Sequence, residues 1–199
     1  MQQGEETQGK KDNENTHNIQ VQNLMDKIKI LLIMRQLKED SIPIEIIPNL
    51  YLGCLGCALN KKKLLEQNIK FILSACEMPK APFSQDFTSL IININDSVDQ
   101  DIKSKFEESN QFIENALNSQ QNILVHWYLC QIYSFAGKSR STTFIIAYLI
   151  KNHKMTVNDA LELVKTKRQI AQPNTGFMKQ LQQYYDTLYN NNNDQKQQE

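Results

Sequence analysis

Between Ser134 and Ser141 the chain reads SFAGKSRS, and these residue types in this order can hold a phosphate. Gly137 permits a tight turn that aims successive backbone N–H groups inward, a concavity suited to an anion. Arg140 adds a planar guanidinium whose paired N–H groups match two phosphate oxygens. Gly137-Lys138-Ser139 also matches the end of a nucleotide-binding loop, but the first glycine of G-x-x-x-x-G-K-S would fall at Ile132, so that motif fails. A second stretch with chemical potential is NDSVDQDI, Asn95 to Ile102. Asp96 ends an apolar run and begins a loop, where side chains reach a site rather than fill a core. Asp99 or Asp101 reads instead as the cap of a helix over 102–117.

The elements around these residues must position them. Asn122 to His126 is a short β-branched run, and Thr142 to Ile150 is apolar almost all round, as a helix buried against a sheet would be. Strand, loop and helix in succession place the helix's positive end beside the loop. Upstream, Pro43 and Pro48 bracket IEII and LYLG follows, giving two short strands. A helix is expected over 59–67, strands over 70–75 and 90–94, and an exposed loop over 76–85. Downstream, Thr156 and Asp159 form a capping box for a helix over 156–168, and a last helix ends near Tyr189. Strands alternating with helices predict an α/β fold: a central, mostly parallel twisted sheet of about five strands flanked by helices.

With 199 residues, 40% of them hydrophobic, and zero formal net charge, the chain suits one globular domain with tails. That domain is placed at 42–189. Residues 1–20 and 190–199 are polar and Gln/Asn-rich, which predicts disorder, and His17 in the first tail reads as a solvated side chain. Leu24, Ile28, Leu31 and Leu32 line one face of an N-terminal helix within 21–40, read as docked on the domain. Positive charge is not gathered into a long run, so no nucleic-acid partner is expected. No segment approaches the ~18 apolar residues that span a bilayer, so no membrane partner is expected either. The polar start lacks a signal-peptide core, which points to cytoplasm or nucleus and to free thiols. Cys54-x-x-Cys57 lacks a second ligand pair and reads as packed thiols rather than a zinc site, so no metal or other cofactor is expected. The oligomeric state is left open.

ILVH ending at His126, FAGKSRSTTFIIAYLI, the Asp-Ser at Asp96, and Pro173-Asn174 with Phe177 together resemble the cysteine-dependent dual-specificity protein phosphatases, over about residues 42–189. The family signature is His-Cys-x5-Arg-Ser/Thr between a strand and a helix. The resemblance implies hydrolysis of phosphotyrosine and phosphoserine or phosphothreonine on protein substrates through a phosphocysteine. A thiolate lowered in pKa by loop amides, the helix N-terminus and the neighbouring His126 would attack phosphorus. Asp96 would protonate the leaving oxygen and then activate water. The backbone of Phe135, Ala136, Gly137, Lys138 and Ser139, with Arg140, would hold the phosphate. Ser141 would ease thiolate departure, and Asn174 would brace the loop.

The cysteine itself is missing. In the family an Asp-Ser precedes it by 31 positions, which from Asp96 leads to Trp127; six positions before Arg140 stands Ser134. Cys130, the only thiol between them, would give a loop four residues too long. A serine alkoxide is far less available than a thiolate, so Ser134 should bind phosphate and turn over poorly. Tryptophan is encoded by TGG, and Ser134 can be written AGT or AGC. Removing 21 bases, from the last of Trp127 to the second of Ser134, leaves a cysteine codon; the piece removed begins GTA and ends AG, as an intron does. WYLCQIYS is therefore read as a retained in-frame intron in a chain of low or absent activity. The alternatives are a pseudophosphatase that binds phosphorylated partners, and a phosphatase of lipid or RNA phosphates.

Overall fold

A computed structural model describes residues 20–28, 30–32, 34, 35, 38, 40–76, 81, 83, 85–127 and 139–190. The chain divides into two compact units, 1–39 and 40–199. In the first, residues 20–28 are helical, as expected. The expected tails fall outside the described residues apart from Gln20 and Asn190.

The second unit is built on a five-stranded sheet of order β1-β2-β5-β3-β4. β1 (Ile44–Ile47) and β2 (Leu50–Gly53) form an antiparallel edge, joined through Asn49 at φ 70°. Asparagine tolerates this left-handed conformation better than most residues. β3 (Ile69–Ala75), β4 (Thr88–Ile92) and β5 (Asn122–His126) are mutually parallel, with β5 between β2 and β3. A central strand covered on both faces must be apolar throughout, and Ile123, Leu124 and Val125 are fully buried.

Among the described residues six helices accompany the sheet in this unit: α1 (Leu55–Leu59), α2 (Lys61–Glu66), α3 (Phe106–Asn118), α4 (Arg140–His153), α5 (Val157–Lys167) and α6 (Thr175–Tyr189). The single helix expected over 59–67 is two, because Asn60 serves both ends. Its N–H donates to the Cys57 carbonyl, closing α1, and its Oδ1 accepts from Lys63 N at 3.2 Å, opening α2. The strand expected over 90–94 lies two residues earlier, in register with Phe71–Ala75. The helix expected from 102 begins as a 3₁₀ turn over Lys103–Lys105, and Asp101 Oδ1 accepts from Ser104 N at 3.1 Å, the capping role expected of it. Thr156 and Asp159 make the predicted capping box, with Asp159 N donating to Thr156 Oγ1 at 3.2 Å. In the expected exposed loop Phe83 is exposed but Ala81 is buried; residues 77–80, 82 and 84 lie outside the described set.

The principal core gathers β-strand residues with Phe106, Ile113, Phe144 and Phe177. α4 is buried from Arg140 through Ile150, which fits its all-round apolar sequence. A smaller core under α1 and α2 joins Cys54, Cys57, Leu64, Ile72, Leu124 and Trp127.

Candidate active site

β5 delivers the chain to the site, and His126 is its last residue. In the pairing, Ser74 of β3 lies opposite His126, and the Ser74 Oγ–His126 Nε2 distance is 2.8 Å. His126 Nδ1 lies 3.2 Å from the Trp127 carbonyl oxygen. A carbonyl can only accept, so Nδ1 carries the proton and Nε2 accepts from the Ser74 hydroxyl. Burial of the fully enclosed ring lowers its pKa to about 4, opposed by its bond to Trp127. His126 is thus neutral at physiological pH. Its contribution is to fix the carbonyl of the next residue.

That next residue is Trp127, where the family places its nucleophile. Its side chain is buried beside Cys54, Cys57 and Leu124, and its Nε1 has no hydrogen-bond partner among the described residues. Ser134, Phe135, Ala136, Gly137 and Lys138 lie outside the described residues, as does Cys130. The chain re-enters the described structure at Ser139.

Three segments converge there through Asn174. As the N-cap of α6, its Oδ1 accepts from Phe177 N at 2.9 Å. Its own N–H donates to Ser139 Oγ at 3.0 Å, and its Nδ2 donates to Asp96 Oδ1 at 2.9 Å. The Pro173-Asn174 turn is thereby both a cap and a brace. Ser139 is the N-cap residue of α4, and its carbonyl accepts from Thr143 N and Thr143 Oγ1 at 2.8 and 2.7 Å. Arg140 opens α4; its Nη1 donates to the Ile94 carbonyl at 3.1 Å and its Nε stands 3.6 Å from Asp96 Oδ2. Asp96 keeps 17% of its side-chain surface exposed and Arg140 keeps 9%. The carboxylate expected to handle protons and the guanidinium expected to hold phosphate therefore share one half-closed place.

Ser141 completes the described part of the site. It is fully buried, and its hydroxyl has no partner among the described residues. Leaving such a group unpaired costs ~1–3 kcal/mol, which an incoming anion would offset. Together with the N-terminus of the 14-residue α4, these groups can bind a phosphate ester and move a proton at its bridging oxygen.

Two further residues hold this arrangement and were not foreseen. Gln180 Oε1 accepts from Ile102 N and Lys103 N, both at 2.9 Å, while its Nε2 donates to the Gln100 carbonyl at 2.8 Å. One turn earlier, a Cβ on Gly176 would meet the Val98 carbonyl oxygen at 1.9 Å. Both residues fasten the loop that carries Asp96 to α6. Nothing in KQLQQYY distinguishes Gln180 from its neighbouring glutamines except its four-residue spacing from Gly176.

The fold and this site define a phosphate-ester hydrolase scaffold, and comparison with known proteins names its kind. The dual specificity phosphatase catalytic domain matches residues 50–187, so the chain belongs to the dual-specificity protein phosphatases of the protein-tyrosine phosphatase superfamily. Dual specificity protein phosphatase 1 of Arabidopsis thaliana is 36% identical over 155 residues, covering 78% of this chain and 75% of that protein. Human dual specificity protein phosphatase 16 is 37% identical over 149 residues, covering 74% of this chain and 21% of that protein. Among solved structures, a human tyrosine phosphatase-like serine/threonine/tyrosine-interacting protein superposes with a TM-score of 0.66 at 32% identity, covering 75% of this chain and 98% of that one.

Proposed function

We propose that this chain binds phosphorylated protein segments at the Asp96–Arg140 site with little or no turnover, and that a shorter product of the same gene is an active dual-specificity phosphatase. The observation that carries this reading is Trp127 at the end of β5, its carbonyl held by His126 in the place where the family's thiol stands. The indole fills the smaller core instead of facing a phosphate. A relative described as phosphatase-like and as a serine/threonine/tyrosine-interacting protein lends the binding reading support.

In the shorter product the retained bases are excised and one cysteine follows His126. Its thiolate attacks phosphorus, the P–O bond to the leaving group breaks, and Asp96 protonates the departing oxygen. Arg140, Ser141 and loop amides neutralise the equatorial oxygens. Water, deprotonated by Asp96, then attacks the phosphocysteine; phosphate leaves and the thiolate returns, eased by Ser141. Substrates are phosphotyrosine and phosphoserine or phosphothreonine on proteins.

The test compares the chain as it stands with a variant in which residues 127–134 are replaced by one cysteine, on an aryl phosphate and on phosphopeptides. Expected are hydrolysis only by the repaired chain and phosphopeptide binding by both. Inactivity of both overturns the phosphatase reading, and transcripts that all carry the 21 bases overturn the intron.

A further inference from the structure

Cys54 and Cys57 lie outside the phosphate site, and nothing in that chemistry uses them. Cys54 is the N-cap of α1, with φ −110° and ψ −174°, and Cys57 is the third residue of that helix. Side chains at these two positions face each other across the first turn, the relationship that a capping box exploits. Cys57 N donates to the Cys54 carbonyl at 3.1 Å, which fixes that turn. Both sulfurs converge on one acceptor: Cys54 Sγ lies 2.9 Å and Cys57 Sγ 3.3 Å from the Asp40 carbonyl oxygen. They lie within 4.8 Å of each other. Gly53 leaves room for this approach, because a Cβ there would stand 2.7 Å from Cys57 Sγ.

This cluster does not suit a metal ion. The Asp40 carboxylate that could join the two sulfurs is already held at both oxygens by Arg168, at 2.9 and 2.5 Å. Among the described residues that leaves a pair of thiols and no third side-chain ligand. We propose that Cys54 and Cys57 form a redox-active dithiol, with Cys54 the attacking and Cys57 the resolving sulfur, that closes to a disulfide on exposure to a hydroperoxide.

The two positions are not equivalent. Gly56 N donates to Cys54 Sγ at 3.2 Å, a bond that favours the thiolate there. The Cys57 thiol beside it holds Cys54 below the ordinary thiol range, and the same contact together with burial pushes Cys57 up. In the first step the Cys54 thiolate attacks the distal peroxide oxygen. The O–O bond breaks, the departing alkoxide or hydroxide takes a proton, and Cys54 becomes a sulfenic acid. In the second step the Cys57 sulfur attacks Cys54 Sγ, and the sulfenic hydroxyl leaves as water with the Cys57 proton. The two thiols are oxidised by two electrons and the peroxide is reduced.

Position gives the bond its reach. Gly53 is paired with His126, so Cys54 follows β2 just where Trp127 follows β5, and the side chains of Cys54, Cys57 and Trp127 share the smaller core. Both sulfurs are buried, and both contact the carbonyl of Asp40, whose carboxylate Arg168 holds. Oxidation therefore waits on release of the Asp40 segment, and the closed bond would stiffen the floor on which the phosphate loop begins.

The experiment needs no phosphatase activity and so stands or falls apart from the proposed function. The reduced full chain is treated with hydrogen peroxide, quenched, alkylated under denaturing conditions and weighed. Expected are a mass lower by two hydrogens, two thiols protected from alkylation, and a Cys54–Cys57 bridge in the peptide map that dithiothreitol reverses. Cys57→Ser should stop at a sulfenic acid on Cys54 that dimedone traps. Full alkylation of both residues in the treated natural chain overturns the proposal, as does a bridge to Cys76 or Cys130 in place of this one.

Discussion

Gly176 lies so close to Val98 that a methyl group on it would stand 1.9 Å from the Val98 carbonyl oxygen and 2.8 Å from its Cα. Backbone cannot swing aside as a side-chain tip can. Gly176→Ala must therefore move the loop that carries Asp96 two residues upstream. The expected cost is ~1–3 kcal/mol, as for other overpacked positions, read as a lower urea midpoint with an unchanged slope. In the chain repaired at 127–134, kcat should fall more on alkyl phosphates than on p-nitrophenyl phosphate, whose leaving group needs no acid. Equal losses on both would mean that Asp96 had not moved.

Gln180→Ala removes the acceptor shared by Ile102 N and Lys103 N and the donor to the Gln100 carbonyl. Orphaned backbone groups beside the fully buried Ile102 cost ~1–3 kcal/mol. Gln180→Glu keeps the acceptor and loses the donor, so its melting temperature should lie between those of Gln180→Ala and the natural chain. A glutamate variant no better than alanine would contradict the double-acceptor role.

His126 makes stability depend on pH. Its folded pKa, about 4, lies below the ordinary histidine value of 6.5, so between these values the unfolded chain binds more protons than the folded one. Stability from this group is fully present above pH ~6.5 and is lost as pH falls toward ~4, by about 3 kcal/mol in all. Urea midpoints at pH 7.5, 5.5 and 4.5 check it against His126→Gln. The variant should start less stable and lose that part of the acid slope; an unchanged slope would place its cause in other groups.

Much of this was legible in the sequence, for reasons that differ from element to element. β5 and α4 are apolar all round, and burial on every side leaves one reading of such runs. The Thr156–Asp159 box and the Asp101 cap depend on neighbours three residues apart, which a sequence displays directly. Asp96, Arg140 and Asn174, singled out from three separate motifs, lie together, Asp96 within 3.6 Å of Arg140 and 2.9 Å of Asn174. Asn60 escaped notice because one residue that closes a helix with its backbone N–H and opens the next with its side chain leaves no composition signal. The neutral state of His126 was not foreseen, since its burial depends on β2 and β3 closing over it. Gln180 and Gly176 matter only through a backbone almost eighty residues earlier, and such contacts leave no local trace.

β5 is paired along both edges, to β2 and β3, and this pairing ends at His126. Lengthening the connection that follows carries a small closure cost, since doubling a loop costs only ~0.6 kcal/mol. On the proposed reading, two products differing at that exit would share the paired sheet and differ in whether the Trp127 indole fills the smaller core. On the retained-intron reading, the supply of phosphatase would then follow from how often a transcript is cut, with the uncut product accumulating as a stable competitor for the same phosphorylated segments.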